Sequence, residues 1–367
     1  MTAFGSHCES NAPAFENSLV IAISNSVFSL ISGISVFGIL GYLAQDGQFS
    51  MASGPALLFG AYPAALATLS VHWVRFLFFN LILLGLDSAF ALVEAVVNML
   101  EDSSFLEHRP RYQIVMLVCA IGWFCGLVYT TDTAMMFVDV MDFYINFVLL
   151  GLGFCKSFAV GWVCKSDSTM ETFGYELVYV YTLSTFGSLI LASLAWFGVQ
   201  GNTVLLGIVC WLVVYGMGLA YCWNKIKDMV LQSTDKSQSP RDLWFELSMG
   251  NILLLHAELQ SSVGYIPMAW AICMKHFIPQ VLLVLFFNLA FSRTPYDQWE
   301  LGHYGDYVTW PFQVVGISVL LIVLGMVGMG LSNPDTLKGF VTNDKEIKHG
   351  QVAAEADGAG YQEMTTL

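Results

Sequence analysis

Residues 73–99 read WVRFLFFNLILLGLDSAFALVEAVVNM, and their only charged members are Arg75, Asp87 and Glu94. A hydrocarbon layer about 30 Å thick takes about 20 apolar residues of helix to cross, and this run is long enough. It must be helical, because an open strand would leave backbone amides unpaired in lipid. Working outward, similar runs fall at roughly 19–43, 112–130, 136–163, 175–197, 203–223, 267–291 and 309–331, so the chain has about eight such segments. The predicted fold is all-α, a polytopic transmembrane helix bundle.

Composition agrees with that reading. Hydrophobic residues make up 56% of the 367 and charged residues only 11%, against roughly 25% charged in a soluble domain. The 27 Phe and 10 Trp suit helices that face lipid and meet its borders. The net charge of −14 comes mostly from acids in loops and tail. Nucleic acid is excluded as a partner, since it requires a clustered basic surface.

The basic residues set the predicted orientation. With the N-terminus in the cytoplasm, Arg109, Arg111, Lys165, Lys225, Lys227, Lys236, Arg241, Lys338, Lys345 and Lys348 all lie inside. Only Arg75 and Arg293 lie outside, while Lys156 and Lys275 fall within spans. This is a positive-inside bias, and it places both termini in the cytoplasm. MTAFGSHCESNAPAF at the start lacks the basic region and short apolar core of a cleavable signal.

Other stretches break the pattern. Residues 50–70 are apolar but interrupted by Gly54, Pro55, Gly60 and Pro63, which predicts an outer cap of short helices. Within 242–262, Phe245, Met249, Ile252 and Leu259 recur at helical spacing between charges, as in an interfacial helix. The tail at 333–367 has a disorder-prone composition. The eight cysteines show no CxxC pair and read as packing side chains.

Enzyme chemistry finds no support. The seven histidines are scattered through loops and helix ends, with no paired metal spacing, no G-x-S-x-G and no phosphate-cradling glycine loop. Asp87 is the informative residue. A carboxylate deep in an apolar span costs about 2.5–3.5 kcal/mol on insertion scales, so something must offset it. A bound cation is one candidate, with Ser88 adding a hydroxyl and Leu84 a carbonyl one turn back. Pairing with Lys156 or another donor is the other. Asn25 and Ser29, four apart, share a helix face, and such residues also serve as helix–helix hydrogen-bonding groups.

Three consecutive segments carry a family likeness: SNSVFSLISGISVFGILGYLAQ (24–45), SGPALLFGAYPAAL (53–66) and NLILLGLDSAFALVEAVV (80–97). They resemble the seventh helix, fourth extracellular loop and eighth helix of the neurotransmitter:sodium symporters. MFVDVMDFYINF (136–147), VGYIPMAWAICMKHFIPQVLLVLF (263–286) and HYGDYVTWPFQVVG (303–316) resemble helices ten, eleven and twelve. The resemblance covers roughly 1–165 and 263–332. It implies a partial LeuT-type fold with a two-span insertion and without the family's first six helices.

The implied layout is a transporter core part at 1–168 including the cap, an insertion at 169–224 and a cytoplasmic linker with its interfacial helix at 225–262. Two C-terminal spans follow at 263–332, then the tail.

The resemblance also implies roles. Leu84 (through its carbonyl), Asp87 and Ser88 match one sodium site, and Asn25 matches another. Ser29 falls where chloride-dependent members supply a hydroxyl and chloride-independent members a carboxylate. Ala89 and Leu92 match substrate-lining positions, and Asp142 matches the outer-gate acid. Lys156 stands where members usually carry a glutamate. The implied activity is sodium-coupled, chloride-dependent symport of an amino acid or related small amine, in the plasma membrane. The alternative is a transport-incompetent fragment, or a subunit acting with a chain that supplies the missing helices.

Overall fold

The computed structural model describes residues 14–45, 57–101, 109–197, 204–232, 239–293 and 298–332. Calls on residues 50–56 of the cap, on most of the linker at 233–238 and on the tail at 333–367 lie outside them. Nearly every described residue is helical, and the only β-type pairing among them is a bridge between Arg293 and Trp299.

Seven helices among the described residues are long and apolar enough to cross a membrane, and Thr309–Gly325 is a shorter apolar helix where the eighth run was expected. In chain order the α-helices among the described residues are α1 (Ala14–Gln45), α2 (Tyr62–Leu69), α3 (Val71–Glu101), α4 (Arg111–Gly126) and α5 (Ala134–Phe158). There follow α6 (Ser166–Phe197), α7 (Val204–Gln232), α8 (Pro240–Val263), α9 (Met268–Ile272), α10 (Ile278–Ala290) and α11 (Val314–Ser332). Single π-turns extend four of these: Leu57–Ala61 before α2, Ala159–Val163 after α5, Cys273–Phe277 between α9 and α10, and Thr309–Gln313 before α11.

The described residues fall into two compact units, one within 39–135 and 321–332, the other within 14–38 and 136–320. In the first, α2 packs on α3 and α3 on α4. Pro63 sits in the first turn of α2, where its missing N–H is harmless, and Ala61 and Ala65 are buried. Val97 of α3 and Ile114 of α4 are fully enclosed. Arg111 ties the two helices, reaching Glu94 at 2.5 Å, Glu101 at 2.8 Å and Asn98 at 3.4 Å. Glu94 is thus held by Arg111.

In the second unit α6 is the central span, with 44% of its apolar window buried against none for α1 or α3. Helix α7 runs along α6. Helix α10 and helix α8 pack on α6 as well. Trp162, Phe173, Leu177, Tyr181, Phe186 and Ile226 are members of the resulting core. The predicted span at 175 starts where the structure bends α6, because Gly174 takes φ 78°, a conformation glycine adopts without strain. A second core joins Val140, Phe143, Tyr144 and Phe147 of α5 to Phe312.

Helix α8 starts at Ser239, whose hydroxyl accepts the Arg241 N–H at 3.3 Å, with Pro240 in the first turn. It buries Leu243, Leu247 and Asn251, at i, i+4 and i+8, together with Met249 and Ile252. Phe245, expected on the apolar face, is 52% exposed, because the packed face is centred on the 243–247–251 line. Helix α7 continues to Gln232, so the 225–262 segment begins with its last turns. Among the described cysteines only Cys222 is buried, while Cys119, Cys125, Cys155, Cys164 and Cys273 are exposed. Packing therefore describes Cys222 and not those five.

Candidate functional site

The candidate ligands fall on two helices. Helix α3 carries Leu84, Asp87, Ser88, Ala89 and Leu92 within about two turns of its middle. Asp87 and Ser88 are exposed, Leu84 is 58% exposed and Leu92 69%. Within its own unit Asp87 has no ion pair or hydrogen-bond partner among the described residues. The acid, the hydroxyl and the Leu84 carbonyl are all oxygen donors, the kind a hard cation takes. Helical spacing puts Leu84 and Ser88 one above the other, with Asp87 beside them.

Asn25 and Ser29 lie on α1, four apart and both exposed. Ser26 between them bonds back to the Ala22 carbonyl at 2.9 Å, so its hydroxyl is used locally. The structure gathers these two residues on one helix face and the α3 group on another helix. Lys156 is exposed on α5 and has no ion-pair partner within its unit among the described residues.

Asp142 of α5 is exposed, and its backbone carbonyl accepts the Asn146 amide at 2.8 Å. Asp139, one turn earlier, is the more engaged acid. Its carboxylate accepts the Tyr307 hydroxyl at 2.9 Å and the Tyr304 hydroxyl at 3.3 Å. The Tyr304 ring stacks on Phe143 at 4.1 Å. Burial first, then the Asp139 charge, pushes the Tyr304 phenol up to about 12 and raises Tyr307 in the same direction. Tyr144 completes the closure: its hydroxyl donates to Gln313 at 2.9 Å and accepts the Gly302 N–H at 2.9 Å. The 298–308 loop is therefore fastened over one end of α5.

At the other end of α5 a polar joint emerges that sequence reading passed over. Asn251 of α8 donates to the carbonyls of Gly161 at 3.0 Å and Cys164 at 3.2 Å, and it accepts the Lys275 ammonium. Lys275 is 3% exposed and lies 5.2 Å from the centre of the Trp162 ring. Trp162 returns a hydrogen bond to the Lys275 carbonyl at 2.9 Å. Gly161 permits this contact, since a Cβ there would stand 2.6 Å from the Met274 carbonyl oxygen. Lys165 pairs with Glu258 at 2.7 Å nearby, and that carboxylate raises the pKa of the lysine. The signal available in sequence was Lys275 within an apolar run, but nothing local names Asn251 as its acceptor.

Seven apolar helices of spanning length among the described residues define an all-α multi-pass membrane protein. The model of the sodium:neurotransmitter symporter family matches residues 1–225, and the chain belongs to that family. Members of the family are transporters, not enzymes.

The chain is 34% identical over 182 residues to the sodium- and chloride-dependent taurine transporter of Rattus norvegicus, covering 47% of this chain and 29% of that protein. It is 31% identical over 191 residues to the sodium- and chloride-dependent GABA transporter 2 of Mus musculus, 48% of this chain and 32% of the relative. With the sodium- and chloride-dependent creatine transporter 1 of Homo sapiens the figures are 33% over 190 residues, 49% and 30%. The chain thus spans about three tenths of the length of these relatives. No solved structure matches it.

Proposed function

We propose that this chain is a working part of a sodium-coupled, chloride-dependent secondary transporter of an amino acid or related small amine. The observation that carries the reading is Asp87, a carboxylate midway along a spanning helix with no partner among the described residues of its own unit. Such an acid needs a compensating charge, and a sodium ion against Asp87, Ser88 and the Leu84 carbonyl supplies it. Asn25 contributes an amide oxygen to a second sodium and Ser29 a hydroxyl to chloride. Ala89 and Leu92 line the substrate path with apolar surface. Ion binding acts by favouring the conformation in which these ligands converge.

Asp142 serves as the outer-gate acid, and the protein sits in the plasma membrane with both termini in the cytoplasm. The names of the taurine, GABA and creatine relatives support the choice of solutes. The test is uptake of labelled taurine, GABA and creatine into vesicles containing the protein. Uptake should require sodium, and Asp87→Ala should abolish it while the protein stays in the membrane. Ser29→Glu should free uptake from chloride, because a fixed carboxylate replaces the anion. Sodium-independent uptake, or an active Asp87→Ala, overturns the reading.

A second reading is favoured by one observation: the apolar windows of α1 and α3, the helices that carry the ligands, have no buried share. On this reading the chain transports only together with protein that supplies further helices. It predicts no uptake by the chain alone and uptake on co-expression with such a partner.

A further inference from the structure

The first half of α5 packs through one face. Val140, Phe143, Tyr144 and Phe147 are buried there, against Phe312, Tyr304, Tyr307 and Ile317. Val138, Asp142, Ile145 and Leu149 form the opposite stripe at helical spacing, and all four are exposed. At about 100° per residue Asp142 stands nearly opposite the packed face. It is the one charged member of the four, and it makes no ion pair among the described residues. Where this acid points is therefore set by the rotation of α5 about its own axis.

Apolar burial is non-directional and leaves that rotation loosely set. Hydrogen bonds at the edges of the face are directional and fix it. Asp139 and Tyr144, about 140° apart around the helix, flank the packed face. On one flank the Asp139 carboxylate accepts the Tyr304 hydroxyl on Oδ1 at 3.3 Å and the Tyr307 hydroxyl on Oδ2 at 2.9 Å. On the other, Tyr144 donates to Gln313 at 2.9 Å and accepts the Gly302 N–H at 2.9 Å. Gln313 in turn donates to the Tyr304 carbonyl at 2.8 Å, so both flanks are tied to one loop. Gly316 of α11 leaves room for the Tyr144 ring, since a Cβ there would lie 2.1 Å from it. Turning α5 either way breaks one side of the fastening.

We propose that Asp139 is a positioning residue: by binding Tyr304 and Tyr307 it fixes the rotation of α5, and with it the aim of Asp142 at the solute's amine. The proposal rests on the reading of Asp142 as the gate acid. A carboxylate suits the task better than an amide, because each of its two oxygens accepts one hydroxyl through a charge-assisted bond. The same two bonds occupy the Asp139 charge. Of two acids one turn apart, only Asp142 is then left to meet a cation. Asp139 acts through α5 and does not touch the solute.

The experiment uses the full chain in liposomes. Asp142→Cys is alkylated with a maleimide, and the labelled peptide is quantified by mass spectrometry. Adding Asp139→Asn or Tyr307→Phe should change the rate at 142 by at least about threefold, because the helix turns. The rate at Tyr179→Cys, an exposed position on α6, should stay as it is. With Asp142 in place, either variant should raise KM for uptake several-fold at an unchanged maximal rate. The two together should do no more than one alone, as expected of residues in a single contact. A purely structural role would instead lower the amount of folded protein and the maximal rate. If Asp139→Asn fails to fold, Tyr307→Phe, which removes one hydroxyl and keeps the ring, decides. No uptake by the unaltered chain would defeat the transport reading, and the labelling rates then judge the fastening alone. Equal labelling at 142 with and without the variants, or a KM that does not move, overturns the proposal.

Discussion

The Lys275 ammonium donates to the side-chain oxygen of Asn251, linking the turn between α9 and α10 to α8 inside the protein. No acid of the unit forms an ion pair with Lys275 among the described residues, so this amide and the Trp162 ring are what hold the charge. Asn251 at the same time donates to the two carbonyls that end α5. One side chain therefore joins three segments that sequence places far apart.

The first prediction is an asymmetry between the two partners. Asn251→Ala leaves a buried ammonium without its acceptor and should cost about 2–4 kcal/mol. Lys275→Met removes the charge and keeps the volume, and should be near neutral or stabilising. In the double variant the penalty of Asn251→Ala should shrink by more than half. Thermal unfolding in detergent, read by tryptophan fluorescence, gives the cycle, and equal penalties for both single variants would count against an uncompensated charge.

A second prediction concerns the clasp at the other end of α5. The Tyr304 phenol is held up to about 12, so the folded loop keeps its proton above the ordinary phenol value near 10. The stabilisation is fully present below pH 10 and is lost as pH rises from there through about 12. Asp139→Ala should lower the Tyr304 pKa, since it removes the charge and the hydrogen bond, while leaving the burial contribution. Tyrosinate absorbance of the protein minus that of Tyr304→Phe isolates the group. A Tyr304 titrating near 10 with Asp139 intact rules the clasp out.

The helices were legible because lipid imposes a long, nearly charge-free run on each span. Residues 175–197 could be delimited to the position where Gly174 bends α6. Asp87 stood out for the same reason, as a charge within such a run. What stayed hidden depends on contacts between distant segments. Nothing near Asp139 announces Tyr304 and Tyr307, which lie beyond five further helices. Helix α8 was found with Met249 and Ile252 buried, but Phe245 lies outside its packed face, because two apolar stripes compete in DLWFELSMGNILLLHAEL and only packing selects Leu243 and Leu247. The insertion looked like an addition to a core; in the structure α6 is itself the most enclosed span of its unit, since α7, α8 and α10 all pack on it.

The last prediction tests that pairing. The approach of α6 and α7 depends on the absence of a side chain at Gly218, where a Cβ would overlap the Ser184 Cβ at 2.1 Å. Gly216, two residues away, has nothing within 4 Å of the same added atom. Gly218→Ala must push the helices apart and should destabilise by about 1–3 kcal/mol, in spite of alanine's better helix propensity. Gly216→Ala should gain up to about 1 kcal/mol from that propensity alone. Opposite signs for two chemically identical changes half a turn apart separate close packing from propensity. The reading fails if the two variants unfold alike, because the helices would then not be held at the distance that Gly218 permits.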